Sequence, residues 1–310
     1  MTTSTNGPLP EQPDPPADGP VVVGIDGSVA SYAALSWAVD AAVRHGRPLH
    51  VVNAYLWPVY PPPLVPGPEY VPTGEAGERA ARQILDEALE RVHAQTTEIT
   101  VSGEVVRGSA SAVLLAQAED SSLLVVGSRG RGGFRSLILG STSTEVAARS
   151  PVPVVVVRRG ESPSDGHRRI VVGVDGSELS EAAVAWAMEE ASVRHATLEA
   201  VTAWNRAESM PPTMVAAGLE ASLPSTEEIA LALSETLAGW REKFPDVAVT
   251  QRVVVGHPGQ VLVEASRYAD LVVVGTRGHG TAASLIIGST SRAVLHHATC
   301  PVAVVPGRLH

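Results

Sequence analysis

The chain contains the same unit twice, and this constrains its folding more than any other feature of the sequence. VVVGIDGS at Val21 to Ser28 returns as IVVGVDGS at Ile170 to Ser177. LLVVGSRGRGG at Leu123 to Gly133 returns as LVVVGTRGHGT at Leu271 to Thr281, and GSTS at Gly140 to Ser143 returns unchanged at Gly288 to Ser291. The interval is 149 residues from Asp26 to Asp175 and 148 from Gly127 to Gly275, so the offset moves only by single-residue loop changes. Even VRH at Val43 to His45 reappears at Val193 to His195. A length of 310 residues, against a usual domain length of about 150, fits two copies of one domain. The expected organisation is a disordered Pro-rich tail at 1–20, a first domain at 21–158, a charged linker at 159–169 and a second domain at 170–310.

Within each copy, apolar strand-sized runs alternate with segments of helical periodicity. Val21 to Ile25 and Ile170 to Val174 read as buried strands that end at a Gly-Ser turn. The helices that follow carry apolar residues at helical spacing, Leu35, Val39 and Ala42 or Val184, Ala187 and Ala191. Further strands are expected at Leu49 to Ala54, Ile99 to Val106, Leu123 to Val126 and Val152 to Val157, with their repeats at Leu198 to Ala203, Val247 to Val255, Leu271 to Val274 and Val302 to Val305. Polar second helices are expected near Gly74 to Ala94 and Ser225 to Lys243. Such alternation predicts an α/β fold: two tandem doubly wound domains, each a five-stranded parallel sheet flanked by helices on both faces. Ligands of such sheets bind beyond the carboxyl ends of the strands, where the strand order switches. That rule points to Asp26, Gly127 and their repeats.

Three features converge there. Asp26 ends a strand, where its carboxylate can accept hydrogen bonds from ligand hydroxyl or amine groups. Gly127, Gly130, Gly132 and Gly133 form a loop in which backbone N–H groups can approach a ligand closely. Gly140, Ser141 and Thr142 open the last helix, whose N–H groups and positive dipole end favour an anion. A nucleotide phosphate tail suits this arrangement. Glycines after a strand also serve plain turns, and Gly-Ser before a helix is an ordinary cap; against that reading stands the whole spacing, kept twice around differing insertions.

These residues carry a family resemblance. The chain is similar to a tandem universal stress protein of the ATP-binding branch, over nearly everything from Val21 to Val305. The signature G-x2-G-x9-G-[ST] is complete as Gly127, Gly130, Gly140 and Ser141, and again as Gly275, Gly278, Gly288 and Ser289. The resemblance implies Rossmann-like domains of the adenine nucleotide alpha hydrolase type that bind ATP, two per chain, with room for an accompanying Mg2+. It implies that Gly24 and Asp26, with Gly173 and Asp175, contact the nucleoside, and that the backbone at Ala54 and Ala203 faces adenine. Gly127, Ser128, Arg129 and Gly130, with Gly275, Thr276, Arg277 and Gly278, would line the ribose and phosphate path. Gly140, Ser141 and Thr142, with Gly288, Ser289 and Thr290, would hold the phosphates. The apolar last strands would pair the two domains into an intramolecular pseudo-dimer, and two chains into a homodimer, with nucleotide occupancy setting the choice of a regulatory protein partner. The turn Gly256-His257-Pro258 keeps a family pattern that Gly108-Ser109-Ala110 lacks.

Composition narrows the alternatives. With 23 Lys plus Arg against 33 Asp plus Glu the net charge is −10, which disfavours nucleic acid and anionic membranes as partners. Aromatic residues make up only 4%, too few for a base-stacking platform. The single cysteine, Cys300, excludes an intramolecular disulfide, and no run of 18 apolar residues occurs. A cytoplasmic protein is expected. No Walker A lysine follows either glycine loop, and Gly278 to Ala283 matches a dinucleotide pattern only after the wrong strand. His296, His297 and Cys300 do not converge as a metal site. His45 and His195 are each expected to close a first helix, and Trp37 and Trp186 to pack helix on sheet. The Pro-rich insertion Trp57 to Glu75 reads as a surface loop. No catalytic motif is present. Two alternatives stay open beside a nucleotide-dependent regulator of stress adaptation or growth: a slow ATPase or nucleotidyl-transfer enzyme using the same pocket, and a nucleotide-free structural dimerisation module.

Overall fold

The computed structural model describes residues 18–56, 75–130, 139–158, 166–204, 225–276 and 287–307. Most of the tail, nearly all of the insertion after Leu56, the first part of the linker, and the loop residues Gly132, Gly133, Arg277 and Gly278 lie outside them.

The first repeat runs β1 (Val21–Ile25), α1 (Val29–His45), β2 (Leu49–Tyr55), α2 (Glu75–Gln95), β3 (Val101–Arg107), α3 (Ala110–Ala118), β4 (Leu123–Gly127), α4 (Ser141–Arg149) and β5 (Val154–Val157). The second runs β6 (Arg169–Gly173), α5 (Glu178–Val193), β7 (Thr197–Trp204), α6 (Thr226–Lys243), β8 (Val249–Val255), α7 (Pro258–Ala265), β9 (Leu271–Gly275), α8 (Ser289–His297) and β10 (Val302–Val305). All ten expected strands are present. β6 starts at Arg169, the last residue of the expected linker.

Each repeat contributes five mutually parallel strands, and the ten form one sheet in the order β3-β2-β1-β4-β5-β10-β9-β6-β7-β8. Among the described residues the only antiparallel pairing is the central one, where Val155 lies opposite Ala303 between the pairs Val156–Val302 and Val154–Val304. Val155 and Ala303 are equivalent residues of the two repeats, so a local twofold axis passes between them. That is the relation of a symmetric dimer made within one chain. The apolar last strands thus cover each other's edges.

Alternate residues of these strands enter opposite cores. Val155, Val157, Ala303 and Val305 pack with α1 and α5 residues such as Leu35 and Val184, whereas Val154, Val156, Val302 and Val304 pack with Leu114, Val146, Leu262 and Val294. Strands buried on both faces have no polar side to display, which is why they read as unbroken Val and Leu runs. Trp37 and Trp186 are buried in the α1–α5 layer, as helix-to-sheet packing requires.

The first helices start alike and end differently. Ser28 and Ser177 cap them, their hydroxyls accepting the N–H of Ser31 and Ser180 at 3.1 and 3.3 Å. At the other end Gly46 takes a left-handed conformation (φ 62°), and His195 takes the same conformation (φ 50°) just beyond α5. Counted from the serine caps, His195 corresponds to Gly46, and Arg194 to His45. The repeated VRH is therefore one residue out of structural register. Only His45 closes a helix; His195 is a non-glycine residue in a glycine's place.

Candidate functional site

The strand order reverses direction at β1–β4 in the first repeat and at β6–β9 in the second, and both candidate sites open at the carboxyl ends of those strands. In the first repeat a cavity of about 560 Å³ is lined by Gly24, Asp26, Ala54, Gly127, Arg129, Gly130, Gly140, Ser141 and Thr142. Apart from Gly132 and Gly133, which lie outside the described residues, the sequence-predicted residues of this repeat therefore meet at one place, except Ser128. Ser128 is buried behind the wall, where its N–H donates to Val157 O at 2.7 Å and its carbonyl accepts the Gly140 N–H at 2.8 Å. It braces the loop rather than facing the cavity.

The glycines are needed because backbones meet here. A Cβ on Gly127 would lie 2.6 Å from the Ala30 carbonyl carbon, so the end of β4 can touch the first turn of α1 only without a side chain. A Cβ on Gly130 would strike Asp26 Oδ2. The carboxylate is fixed by the Ser28 N–H, which donates to Asp26 Oδ1 at 3.0 Å, and the Ser28 hydroxyl donates to Arg129 O at 3.1 Å. Ser28 thereby ties the strand-end aspartate, the start of α1 and the glycine loop together.

The helix start expected to face an anion is that of α4. Its N-cap is Gly140, which supplies no side-chain cap, so the first N–H groups of the helix are left to the cavity side. The Ser143 hydroxyl donates to Gly127 O at 2.7 Å and fastens that first turn to β4. Ser291 repeats this contact with Gly275 O at 2.6 Å. Ser143 and Ser291 were not singled out from the sequence, although the four-residue identity GSTS contains the signal. The apolar walls, Val52, Leu114, Val126 and Leu139, were likewise visible only as core positions.

The second repeat assembles the same parts in less space. Its cavity is about 100 Å³, lined by Gly173, Asp175, Ala203, Gly275 and Thr290 among the predicted residues, with Ser180, Pro258, Leu262 and Ser291. Thr276, Gly288 and Ser289 lie beside it without lining it; Gly288 again caps the helix without a side chain and donates its N–H to Thr276 O at 2.8 Å. Asp175 is exposed, and its Oδ1 accepts both the N–H and the hydroxyl of Ser177, at 3.0 and 2.6 Å.

The expected difference between the turns before α3 and α7 is present and has a local remedy. Pro258 starts α7 without a side-chain cap, whereas the Ser109 hydroxyl caps α3 by accepting the Ala112 N–H at 3.4 Å. Between α3 and α4 the Ser111 hydroxyl donates to the Glu145 carboxylate, which this bond holds below its ordinary range. Among the described residues no group of three His, Cys, Asp or Glu side chains is arranged to hold a metal ion, and no helix is long and apolar enough to cross a membrane.

The chain is thus a doubly wound α/β protein made of two repeats, each with a glycine-floored pocket at its switch point and a helix beside it that starts without a side-chain cap. The chain belongs to the universal stress protein family, whose model matches residues 19–158 and again 166–306. A universal stress protein of Mycobacterium tuberculosis is 39% identical over 292 residues, covering 92% of this chain and 96% of that one. A second from the same organism is 36% identical over 290 residues, covering 92% and 95%. Among solved structures, a universal stress protein from Archaeoglobus fulgidus superimposes with a TM-score of 0.69 at 18% identity, covering 93% of this chain and 96% of that one, a likeness of fold.

Proposed function

We propose that the chain is an ATP-binding regulator, with a nucleotide pocket in each repeat, that acts in the cytoplasm in stress adaptation or growth control. The observation that carries this reading is the first cavity. Its size lies within the 300 to 1,000 Å³ range typical of small-molecule pockets, at about 560 Å³. Its polar groups are graded as a nucleotide requires: apolar walls at Val52, Ala54, Leu114 and Val126 for a base, the Asp26 carboxylate for ribose hydroxyls, and the α4 N-terminus with Ser141 and Thr142 for phosphates. ATP supplies the anionic charge that this helix end favours, and a Mg2+ would travel on the phosphates, because the described side chains form no cage for it.

In this reading the chain's own groups bind and orient the nucleotide. With about 31 heavy atoms at about 0.3 kcal/mol each, ATP would gain on the order of 9 kcal/mol, which corresponds to micromolar binding or tighter. Occupancy would change the rim of the sheet, and so the surface offered to a protein partner or to a second chain. The test is calorimetry or equilibrium dialysis of ATP with nucleotide-stripped protein, together with mass analysis of nucleotide released from the purified chain. Binding that is lost in Gly140→Arg supports the reading, and an absence of any ATP binding overturns it.

A further inference from the structure

We propose that the first repeat carries a second site, separate from the nucleotide pocket: a Ser102–His50–Glu104 relay at the edge of the sheet that cleaves small carboxylic esters. His50 on β2 and Ser102 on β3 are paired in register, and Glu104 lies two residues further along β3, on the same face of the sheet. The Ser102 hydroxyl is 2.8 Å from His50 Nδ1, and His50 Nε2 is 3.5 Å from Glu104 Oε1, a contact of the kind that tightens when substrate binds. From α3, Gln117 Nε2 donates to that same carboxylate oxygen and holds it in place. A hydroxyl within reach of an imidazole that a carboxylate in turn orients is the arrangement of an activated nucleophile. None of these four residues lines the nucleotide pocket.

The surroundings suit the roles. His50 is only 20% exposed and its register partner on β1 is the buried Val22, so the base rests beside an apolar floor, whereas Ser102 is open to solvent. β3 is the outermost strand on its side of the sheet. The Leu49 N–H donates to Thr100 O and the Gly108 N–H to Tyr55 O, so even-numbered residues of β3 turn their backbone groups toward β2. Gly103, next to the nucleophile, turns its N–H to the outer edge and offers it to a developing oxyanion. The second repeat has no such relay: Glu199, Thr250 and Arg252 stand at the positions of His50, Ser102 and Glu104. Glu199 is buried between Arg169 and Arg252, and the Thr250 hydroxyl donates to Leu198 O at 3.5 Å. A carboxylate committed to two guanidinium groups is not available to a hydroxyl proton.

With the Nε2 proton donated to Glu104, Nδ1 accepts the Ser102 hydroxyl. Ser102 Oγ adds to the ester carbonyl carbon as its proton passes to Nδ1. The bond to the alcohol oxygen then breaks, and that oxygen takes the proton. Water adds to the acyl-serine by the same route, its proton passing through Nδ1 to Oγ, which releases the carboxylic acid and restores the site. A single backbone donor in an open site limits the substrates to small esters with good leaving groups.

The experiment is hydrolysis of 4-nitrophenyl acetate by the full chain, with peptide mass mapping after treatment with a fluorophosphonate. Nitrophenol release should exceed that of free histidine at equal concentration at least tenfold, and the fluorophosphonate should mark Ser102. Ser102→Ala, at an exposed position, should lower the rate at least tenfold at an unchanged unfolding midpoint, and His50→Gln should do the same. Glu104→Gln should lower kcat about tenfold with KM unchanged, as expected of a positioning residue and not of a structural loss. A rate no higher than that of free histidine, a rate unchanged in Ser102→Ala, or a label that falls elsewhere and leaves Ser102 unmarked would each overturn the proposal.

Discussion

Glu190 offers the sharpest test of how the two repeats are held together. Its side chain is only 2% exposed, on α5 of the second repeat, and it meets His45 at the end of α1 in the first: His45 Nε2 lies 2.6 Å from Glu190 Oε1, and Arg194 Nε lies 2.5 Å from Glu190 Oε2. Arg194 in turn stacks on Trp37, 4.7 Å from the ring centroid, so the cluster joins both repeats. Burial by itself would raise the Glu190 pKa, but the Arg194 charge and the bond from His45 outweigh it and bring it from 4.5 down to about 2. That difference corresponds to about 3 kcal/mol, within the 3 to 5 kcal/mol lost when one member of a buried ion pair is removed. The sign follows from linkage. A carboxylate with a depressed folded pKa stabilises fully above its unfolded value of 4.5, and this stabilisation is lost as the pH falls toward about 2. Urea unfolding of Glu190→Ala at pH 7 should therefore show a loss of about 3 kcal/mol relative to the unsubstituted chain, and the gap between the two should narrow steadily from pH 4.5 to pH 2. A gap below about 1 kcal/mol at pH 7, or one that does not change with pH, would refute the reasoning.

Three further outcomes are expected. Gly127→Ala should cost about 1 to 3 kcal/mol in urea unfolding and weaken ATP binding in the first repeat, because its new Cβ would lie 2.6 Å from the Ala30 carbonyl carbon and force α1 off β4. Asp26→Ala should lower ATP affinity about tenfold or more while shifting stability by no more than about 1 kcal/mol, since a ligand hydroxyl loses a charged acceptor at a half-exposed position; calorimetry and denaturation on one preparation separate the two effects. Cys300, 4% exposed, should react with a thiol reagent far more slowly in the folded chain than in denaturant, and equal rates would contradict its place in the core.

Much of the site was legible because it is made of backbone. Gly127 and Gly130 are required by close approaches, and Gly140 starts α4 without a side-chain cap; such positions leave glycine at fixed spacing in the sequence. Ser128 lies within the same signature but faces inward. Sequence spacing alone cannot tell a loop residue that lines a cavity from one that bonds to the strand behind it. The role of Ser143 was hidden for the same reason, since its partner, Gly127 O, is 16 residues away. Helix ends misled more directly. Two identical VRH triplets place His45 in an inter-repeat hydrogen bond and His195 in a left-handed turn, because one residue of register decides which side chain faces the other repeat.

The residues alone set the count and kind of the units. Apolar runs buried on both faces must be parallel strands, their alternation with helices must make a doubly wound sheet, and a glycine signature kept twice marks the same switch-point pocket twice. Tertiary structure decided how the units relate. Val155 and Ala303 sit across a local twofold axis, so the two sheets join antiparallel into one, and nothing in PVPVVVV or PVAVV specifies that direction. It also decided how closely the helices beside each pocket pack. Whether α7 rests on α8 depends on the contact between Gly259 and Ala293, two small residues 34 positions apart that the fold alone brings together.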